Sequence, residues 1–314
     1  MKLLITGGAG FIGTNCSIYF RKKGYEIINV DKLGIGSVRK NLDAVESRFF
    51  KIDISRRFPM ELLEGVDYIV NLASESHVDR SIADPYFFFR NNVGLMLNLL
   101  EAMRKQGGNV KMVHVSTDEV YGDIVQGSFS EDSTLRPSSP YSASKASQDS
   151  FALAYSRTYG LDISITRCTN NYGPYQLPEK LIPKAIIRAL NNMKIPLYGS
   201  GKQVRDWLFV EDHCRAIETV LRKGKRNEIY NVSAGNEKEN FEVVRKILDI
   251  MGKPQGLIQF IQDRPGHDVR YSMKSAKLHM LGWKPAISPD SGLKRTVSWY
   301  IDNRKWWKGL TKFI

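Results

Sequence analysis

The sequence predicts an α/β protein: a doubly wound parallel sheet with a smaller C-terminal α/β domain. Three observations carry this. The first half of the 314-residue chain alternates short apolar runs with amphipathic stretches, the pattern of a parallel sheet covered on both faces. A glycine-rich turn from Gly7 to Gly13 joins the first apolar run to the first amphipathic stretch. Charge divides the chain: up to Thr166 there are 19 basic and 19 acidic side chains, and from Arg167 onward 27 and 14, so the whole excess of 46 − 33 = +13 lies in the second half.

Six strands follow in order from Ile-, Val- and Leu-rich runs: 2–6, 26–30, 48–52, 67–72, 111–115 and 162–166. Helices are expected at 10–23, at 85–106 with Asp84 as cap and Gly107-Gly108 as stop, and at 141–159, ended by Gly160. After Arg167 the chain turns to loops rich in Pro, Gly, Asn and Tyr, such as 170–174 and 197–201, interrupted by helices near 178–191, 240–251 and 289–303, the last capped by Ser288. The division expected is a cofactor domain over 1–167, with 208–232 returning to it. A ligand domain over 168–207 and 233–314 completes the chain.

Several classes are excluded. Cys16, Cys168 and Cys214 are far apart, which fits a reducing compartment and no disulfide framework. The five histidines show no metal-ligand spacing, so no metal is expected. No apolar run approaches the roughly 20 residues of a spanning helix, and the run 3–5 is too short for a signal peptide. A cytoplasmic protein with no membrane partner is the expectation. The net charge suits an anionic partner, but no recognised RNA or DNA motif accompanies it, so a nucleic-acid partner is not expected.

The turn Gly7-Gly8-Ala9-Gly10-Phe11-Ile12-Gly13 follows a strand and opens a helix. Gly7 permits the tight turn, Gly10 lets backbone approach a pyrophosphate, and Gly13 allows close helix packing. Asp31, ending the second strand, suits the ribose hydroxyls and would repel a 2′-phosphate, pointing to NAD in a Rossmann-type domain. Of three Tyr-x-x-x-Lys pairs, only Tyr141/Lys145 sits on a long predicted helix beside the ligand-binding edge. There the ammonium is expected to lower the phenol pKa toward neutrality and make Tyr141 a base for a sugar hydroxyl. Ser116-Thr117-Asp118-Glu119 ends the fifth strand at that edge; two adjacent carboxyls there can divide into an acid and a base.

On these motifs, and on 72–81, 170–183, 205–207 and 264–268, the chain resembles the extended short-chain dehydrogenase/reductases over nearly its whole length. Within them it closely resembles the dTDP-glucose 4,6-dehydratases. The Thr-Asp-Glu triplet separates it from the related 4-epimerases, and a 4-epimerase or decarboxylase on another nucleotide-sugar is the alternative. The resemblance implies an internally recycled NAD, and catalysis by Tyr141, Lys145, Thr117, Asp118 and Glu119. It further implies NAD contacts from Gly7, Gly10 to Gly13, Asp31, Lys32, Leu33, Gly34, Asp53, Ile54, Leu72, Ala73, Ser74, Ser76, Asn91, Tyr141, Lys145 and Asn171. The nucleotide-sugar, dTDP-glucose by the same resemblance, would be held by Ser76, Thr117, Asn170, Lys180, Leu181, Pro196, Tyr198, Arg205, Asn236, Arg264 and His267. Arg205 and Arg264 suit a diphosphate because guanidinium donors match its oxygens pairwise. A homodimer is implied as well. Trp283, Trp299, Trp306 and Trp307 read as packing residues, and His114 as a satisfied core histidine.

Overall fold

A computed structural model describes residues 1–107, 110–263 and 267–310. Seven parallel strands form the main sheet: β1 (Lys2–Thr6), β2 (Glu26–Asp31), β3 (Arg48–Lys51), β4 (Tyr68–Asn71), β5 (Lys111–Thr117), β6 (Ile163–Cys168) and, further along the chain, Glu228–Val232. The order across the sheet places β1 between β2 and β4, with β3 at one edge and Glu228–Val232 at the other. The chain therefore reverses direction across the sheet beside β1, the switch point where ligands bind in such folds. Sequence periodicity found six of these strands and assigned 228–232 only to a returning segment. Glu228–Val232 holds five residues on the edge beside β6, and its Asn and Tyr dilute the apolar signal.

Both faces are covered, as parallel strands require. Helices Phe11–Lys22 and Val210–Lys223 pack one face through Cys16, Phe20, Ile217 and Val220, and Gly94–Gln106 with Pro140–Tyr159 pack the other through Leu99, Met103 and Ala152. The long helix predicted at 85–106 is broken: Pro85–Phe88 runs into a wider π-helical turn, Phe89–Val93, before Gly94–Gln106 resumes. The inserted residue of such a turn lets Asn91 and Asn92 both face inward, and both are buried. Asp84 caps the start, and Gly107, at φ 66°, ends the run.

A third apolar cluster joins helices Leu181–Leu190, Asn240–Ile250 and Pro289–Asp302 through Ile186, Val244, Leu248 and Tyr300. Two small sheets belong to this region. Asn170–Tyr172 pairs with Val204–Phe209, which also pairs with Glu237–Glu239, and Ile195–Tyr198 pairs with Ile258–Ile261. The stretches 170–174 and 197–201, expected as loops, thus begin in short strands; their Asn and Gly residues mask pairings made far along the chain.

Candidate active site

The carboxyl ends of β1, β2, β4, β5 and β6 surround one cleft with a cavity of about 290 Å³. Its floor is the glycine turn. Gly7 has φ 70°, and a Cβ on it would lie 2.9 Å from the Ala73 nitrogen, so conformation and space both require glycine. At Gly13 a Cβ would fall 2.2 Å from the Gly7 carbonyl oxygen. Gly10 differs: a Cβ there would meet protein only at 3.2 Å, so its bare face is needed by whatever enters the cleft. Gly10 caps helix Phe11–Lys22 without a side chain, leaving the first-turn N–H groups open to an anion.

Asp31 ends β2 beside this turn. Its carboxylate accepts from Ala9 N at 3.1 Å, Leu33 N at 2.8 Å and Ser37 Oγ at 3.0 Å. Leu33 turns its N–H inward by adopting φ 60°, a conformation costly for a branched residue. Lys32 crosses the cleft mouth to Asn91 Oδ1 at 2.6 Å and Glu75 Oε1 at 2.9 Å. Phe11, Ile12, Gly34, Asp53, Ile54, Leu72, Ala73, Ser74, Ser76, Asn170, Asn171 and Lys180 also line the cleft. A glycine cradle, open helix N–H groups and a carboxylate at the end of β2 fit a dinucleotide.

The residues expected to hold the far end of a nucleotide-sugar are more scattered. Tyr198, on the strand Ile195–Tyr198 with Pro196, sets its ring edge-on to His267, whose Nδ1 lies 2.6 Å from Asp263. Leu181 opens its helix. Asn236 borders a second cavity of about 300 Å³ with Trp207 and Val243. Arg205 is buried: its guanidinium donates to the carbonyls of Val204 at 2.7 Å and Asp268 at 2.9 Å and stacks on Tyr271, so the fork expected to grip a diphosphate is turned onto backbone. Arg264 lies outside the described residues.

The reactive groups gather where β5 meets helix Pro140–Tyr159. β5 runs two residues past its predicted end, to Thr117, and a short 3₁₀ turn, Asp118–Val120, follows. Thr117 Oγ1 donates to Asp118 Oδ1 at 3.1 Å and accepts from Glu119 N at 3.3 Å. Burial, and then the neighbouring Glu119 charge, push the Asp118 carboxyl up to about 8. Its Oδ2 is buried without a partner in the cleft wall. Tyr141 sits in the first turn of the helix, which Ser139 and Ser142 close with a reciprocal capping box.

The expected pairing of Tyr141 with Lys145 is not realised. Burial, Glu119, Cys168 and Asp118 push the Tyr141 phenol well above its ordinary range, although a hydrogen bond with Thr117 opposes this. Lys145 is itself buried, which lowers it to about 8. Its Nζ donates to the Val115 carbonyl at 2.8 Å and Gln148 Oε1 at 2.6 Å. Spacing along the helix puts the two on one face, but a desolvated ammonium turns to the nearest acceptors.

Behind Lys145 lies a network that sequence reasoning missed. His114 Nε2 is 3.5 Å from both Lys145 Nζ and Asp149 Oδ1, and Arg167 Nε donates to Asp149 Oδ2 at 2.8 Å. His114 is fully buried, as expected of a core histidine, and burial and then Lys145 lower it to about 4, so it stays neutral. Burial opposes ionisation of Asp149, but the nearby His114 ring and the charge of Arg167 prevail and hold it below its ordinary value. Each of these residues looked ordinary in its own strand or helix.

Comparison with known proteins agrees with this architecture. The family model described as GDP-mannose 4,6 dehydratase matches residues 4–296. A probable dTDP-glucose 4,6-dehydratase from Sinorhizobium fredii is 45% identical, covering 99% of this chain and 95% of that protein. The dTDP-glucose 4,6-dehydratase of Neisseria meningitidis is 44% identical, over 98% and 96%. Among solved structures, the Streptomyces venezuelae dTDP-glucose 4,6-dehydratase with NAD bound superposes with TM-score 0.94 at 46% identity, covering 99% of this chain and 100% of that one. A UDP-glucose 4-epimerase from Thermus thermophilus, in complex with NAD, gives 0.89 at 31% identity over 96% and 100%.

Proposed function

The chain belongs to the dTDP-glucose 4,6-dehydratase family of extended short-chain dehydrogenase/reductases, and from that premise we propose how its residues perform the family's reaction. It is an NAD-dependent hydro-lyase that converts dTDP-glucose to dTDP-4-keto-6-deoxyglucose. Bound in the glycine cradle, NAD supplies the acceptor and donor for a hydride that moves from C4 to C6, and a positive charge that favours phenolate at Tyr141. In the turn that Gly7 and Gly13 shape by packing, Gly10 would let the pyrophosphate approach the helix N-terminus, and Asp31 would hold the adenosine ribose.

Tyr141 removes the proton of the C4 hydroxyl, with Thr117 orienting the sugar and Lys145 contributing to the cofactor side of the cleft. The ketone formed at C4 acidifies the C5 proton, which Glu119 takes. Asp118 protonates the departing C6 hydroxyl. One observation carries the assignment: side by side at the end of β5, Asp118 is pushed up to about 8 and stays protonated at neutral pH, as an acid partner to a basic neighbour must. Ser76, Asn170 and Lys180 line the cleft, and with Leu181, Pro196, Tyr198, Arg205, Asn236, Arg264 and His267 they are the residues proposed to hold the sugar-nucleotide.

The division into an NAD domain over 1–167 with 208–232, and a nucleotide-sugar domain over 168–207 and 233–314, is supported by the separate apolar cluster of the latter. The working form is a homodimer, for which exposed Ile82, Tyr86 and Phe89 beside the helix Gly94–Gln106 offer an apolar face. No helix among the described residues is long and apolar enough to cross a membrane, and a cytoplasmic site of action suits a nucleotide-sugar substrate. Purified protein given dTDP-glucose without added reductant should form the 4-keto-6-deoxy product. No product from NAD-loaded protein overturns the reading.

A further inference from the structure

The glycine turn is held from outside as well as by its own glycines. Ala9, in its middle, donates its N–H to Asp31 Oδ2 at 3.1 Å. Its carbonyl accepts from Val38 N at 3.0 Å and from Asn41 Nδ2 at 3.2 Å. That carbonyl belongs to the peptide joining Ala9 to Gly10, whose N–H donates to the Gly7 carbonyl at 3.1 Å. The orientation of this one peptide therefore fixes both the bare face of Gly10 and the start of the helix Phe11–Lys22.

Asn41 lies in the 3₁₀ turn Arg39–Ala44 and is 2% exposed. Its other end, Oδ1, accepts from the indole Nε1 of Trp306 at 2.6 Å, 265 positions further along the chain in the short helix Arg304–Lys308. Trp306 packs, as expected: its ring centroid lies 5.0 Å from that of Trp299 and 6.0 Å from that of Tyr175. Packing alone would be met by any aromatic ring. An indole nitrogen can only donate, so Trp306 decides which end of the Asn41 amide faces it, and the NH₂ end is left facing Ala9. Turned over, the amide would set its oxygen against the Ala9 carbonyl and its NH₂ against the indole N–H, two clashes in place of two bonds. A second bond joins the same regions: Asn15, on the helix Phe11–Lys22, donates from Nδ2 to the Pro174 carbonyl at 2.9 Å, next to Tyr175.

We infer that Trp306 is a positioning residue for the cofactor: through Asn41 it holds the Ala9–Gly10 peptide in the orientation that the pyrophosphate needs, and so sets how tightly NAD is retained. Neither Trp306 nor Asn41 lines the cleft. They act by ordering the turn on folding rather than on binding, and preorganisation of this kind is read as slower release. Retention matters because the hydride taken from C4 must return to C6 of the same sugar. The inference rests on NAD occupying the glycine turn, and goes beyond that reading by giving the far end of the chain a share in holding it.

Trp306→Phe keeps an aromatic ring and removes the donor. Holoenzyme loaded with radiolabelled NAD and diluted into excess unlabelled NAD should release label about 3- to 10-fold faster than wild type, the effect of one neutral hydrogen bond, while kcat at saturating NAD stays within about twofold. Asn41→Ala should speed release at least as much, and the double variant no more than Asn41→Ala alone. Linkage requires the reverse effect too: bound NAD should slow solvent exchange of the Trp306 indole proton by a similar factor. That measurement is made on the wild type, so it decides the matter even where Trp306→Phe does not fold. Wild-type release from folded Trp306→Phe, additive effects of the two substitutions, or indole exchange indifferent to NAD makes Trp306 a packing residue and overturns the inference. Wild-type protein that binds no NAD would instead overturn the cofactor reading itself.

Discussion

The glycine turn allows a sharp test, because two of its glycines have opposite reasons to lack a side chain. A Cβ at Gly13 would sit 2.2 Å from the Gly7 carbonyl oxygen and 2.8 Å from Gly8 Cα. Relieving this to a tolerable contact of about 3.2 Å moves the helix off β1 by about 1 Å, an overpacking strain worth about 1–3 kcal/mol. At Gly10 the nearest protein atom would be 3.2 Å away, and φ −76° with ψ 177° is open to alanine. The smaller entropy of the unfolded chain returns about 0.4–1 kcal/mol there. Gly10→Ala should therefore leave urea stability of the NAD-free protein within about 1 kcal/mol of wild type, while its methyl occupies the closest approach of the pyrophosphate. Losing one charge-assisted hydrogen bond of about 1.5–3 kcal/mol weakens NAD about 10- to 100-fold, which calorimetric titration reads directly. Gly13→Ala should lose stability first. A Gly10→Ala protein that binds NAD within about twofold of wild type, or is destabilised as much as Gly13→Ala, refutes this account of the cradle.

Three further outcomes follow from the same geometry. Glu119→Gln should stop elimination but leave C4 oxidation, so near-ultraviolet absorbance of the reduced cofactor should build up on adding dTDP-glucose; unimpaired dehydration would reassign the base. Because Asp118 must be protonated to act and is pushed up to about 8, kcat/KM should fall as pH rises through that value. Asp118→Asn should abolish the alkaline limb along with most of the rate, and a limb that survives belongs to another group. Asp149→Asn strips the ion pair from Arg167, which is 2% exposed, and should cost about 3–5 kcal/mol in urea denaturation; a loss below about 1 kcal/mol would mean that Arg167 finds another partner.

The parallel sheet was legible because its strands are buried on both faces and read as unbroken apolar runs, as at Leu3 to Ile5. Glu228–Val232 was not, since an edge strand lies against only one neighbour and tolerates Asn231 and Tyr230. The glycine turn, Asp31 and the Thr117 to Glu119 end of β5 were legible because ligand chemistry concentrates there in short sequence. The setting of Arg205 was not legible, for a reason composition cannot supply: two of the carbonyls it donates to, those of Asp268 and Val269, are some sixty residues away. His114, Asp149 and Arg167 belong to three separate elements, and only their convergence behind Lys145 gives them a role. The same convergence explains why Lys145 departs from Tyr141: a buried ammonium is drawn to the acceptors the fold provides, whatever the helical spacing suggests.

The adjacency of Asp118 and Glu119 has a consequence for the order of events. Part of what raises Asp118 is the negative charge of Glu119, and that charge exists only while Glu119 is ionised. When Glu119 takes the C5 proton its charge disappears, and the repulsion that kept the Asp118 proton in place goes with it. Asp118 then becomes the stronger acid at the moment the C6 hydroxyl needs a proton to leave. Burial sets the baseline that keeps Asp118 protonated at rest, and the neighbour supplies the part that switches. An acid placed farther along the turn would be buried but uncoupled and would not sense when the base had acted. Two carboxyls at consecutive positions, one buried and one reaching the cleft, tie proton donation at C6 to proton removal at C5.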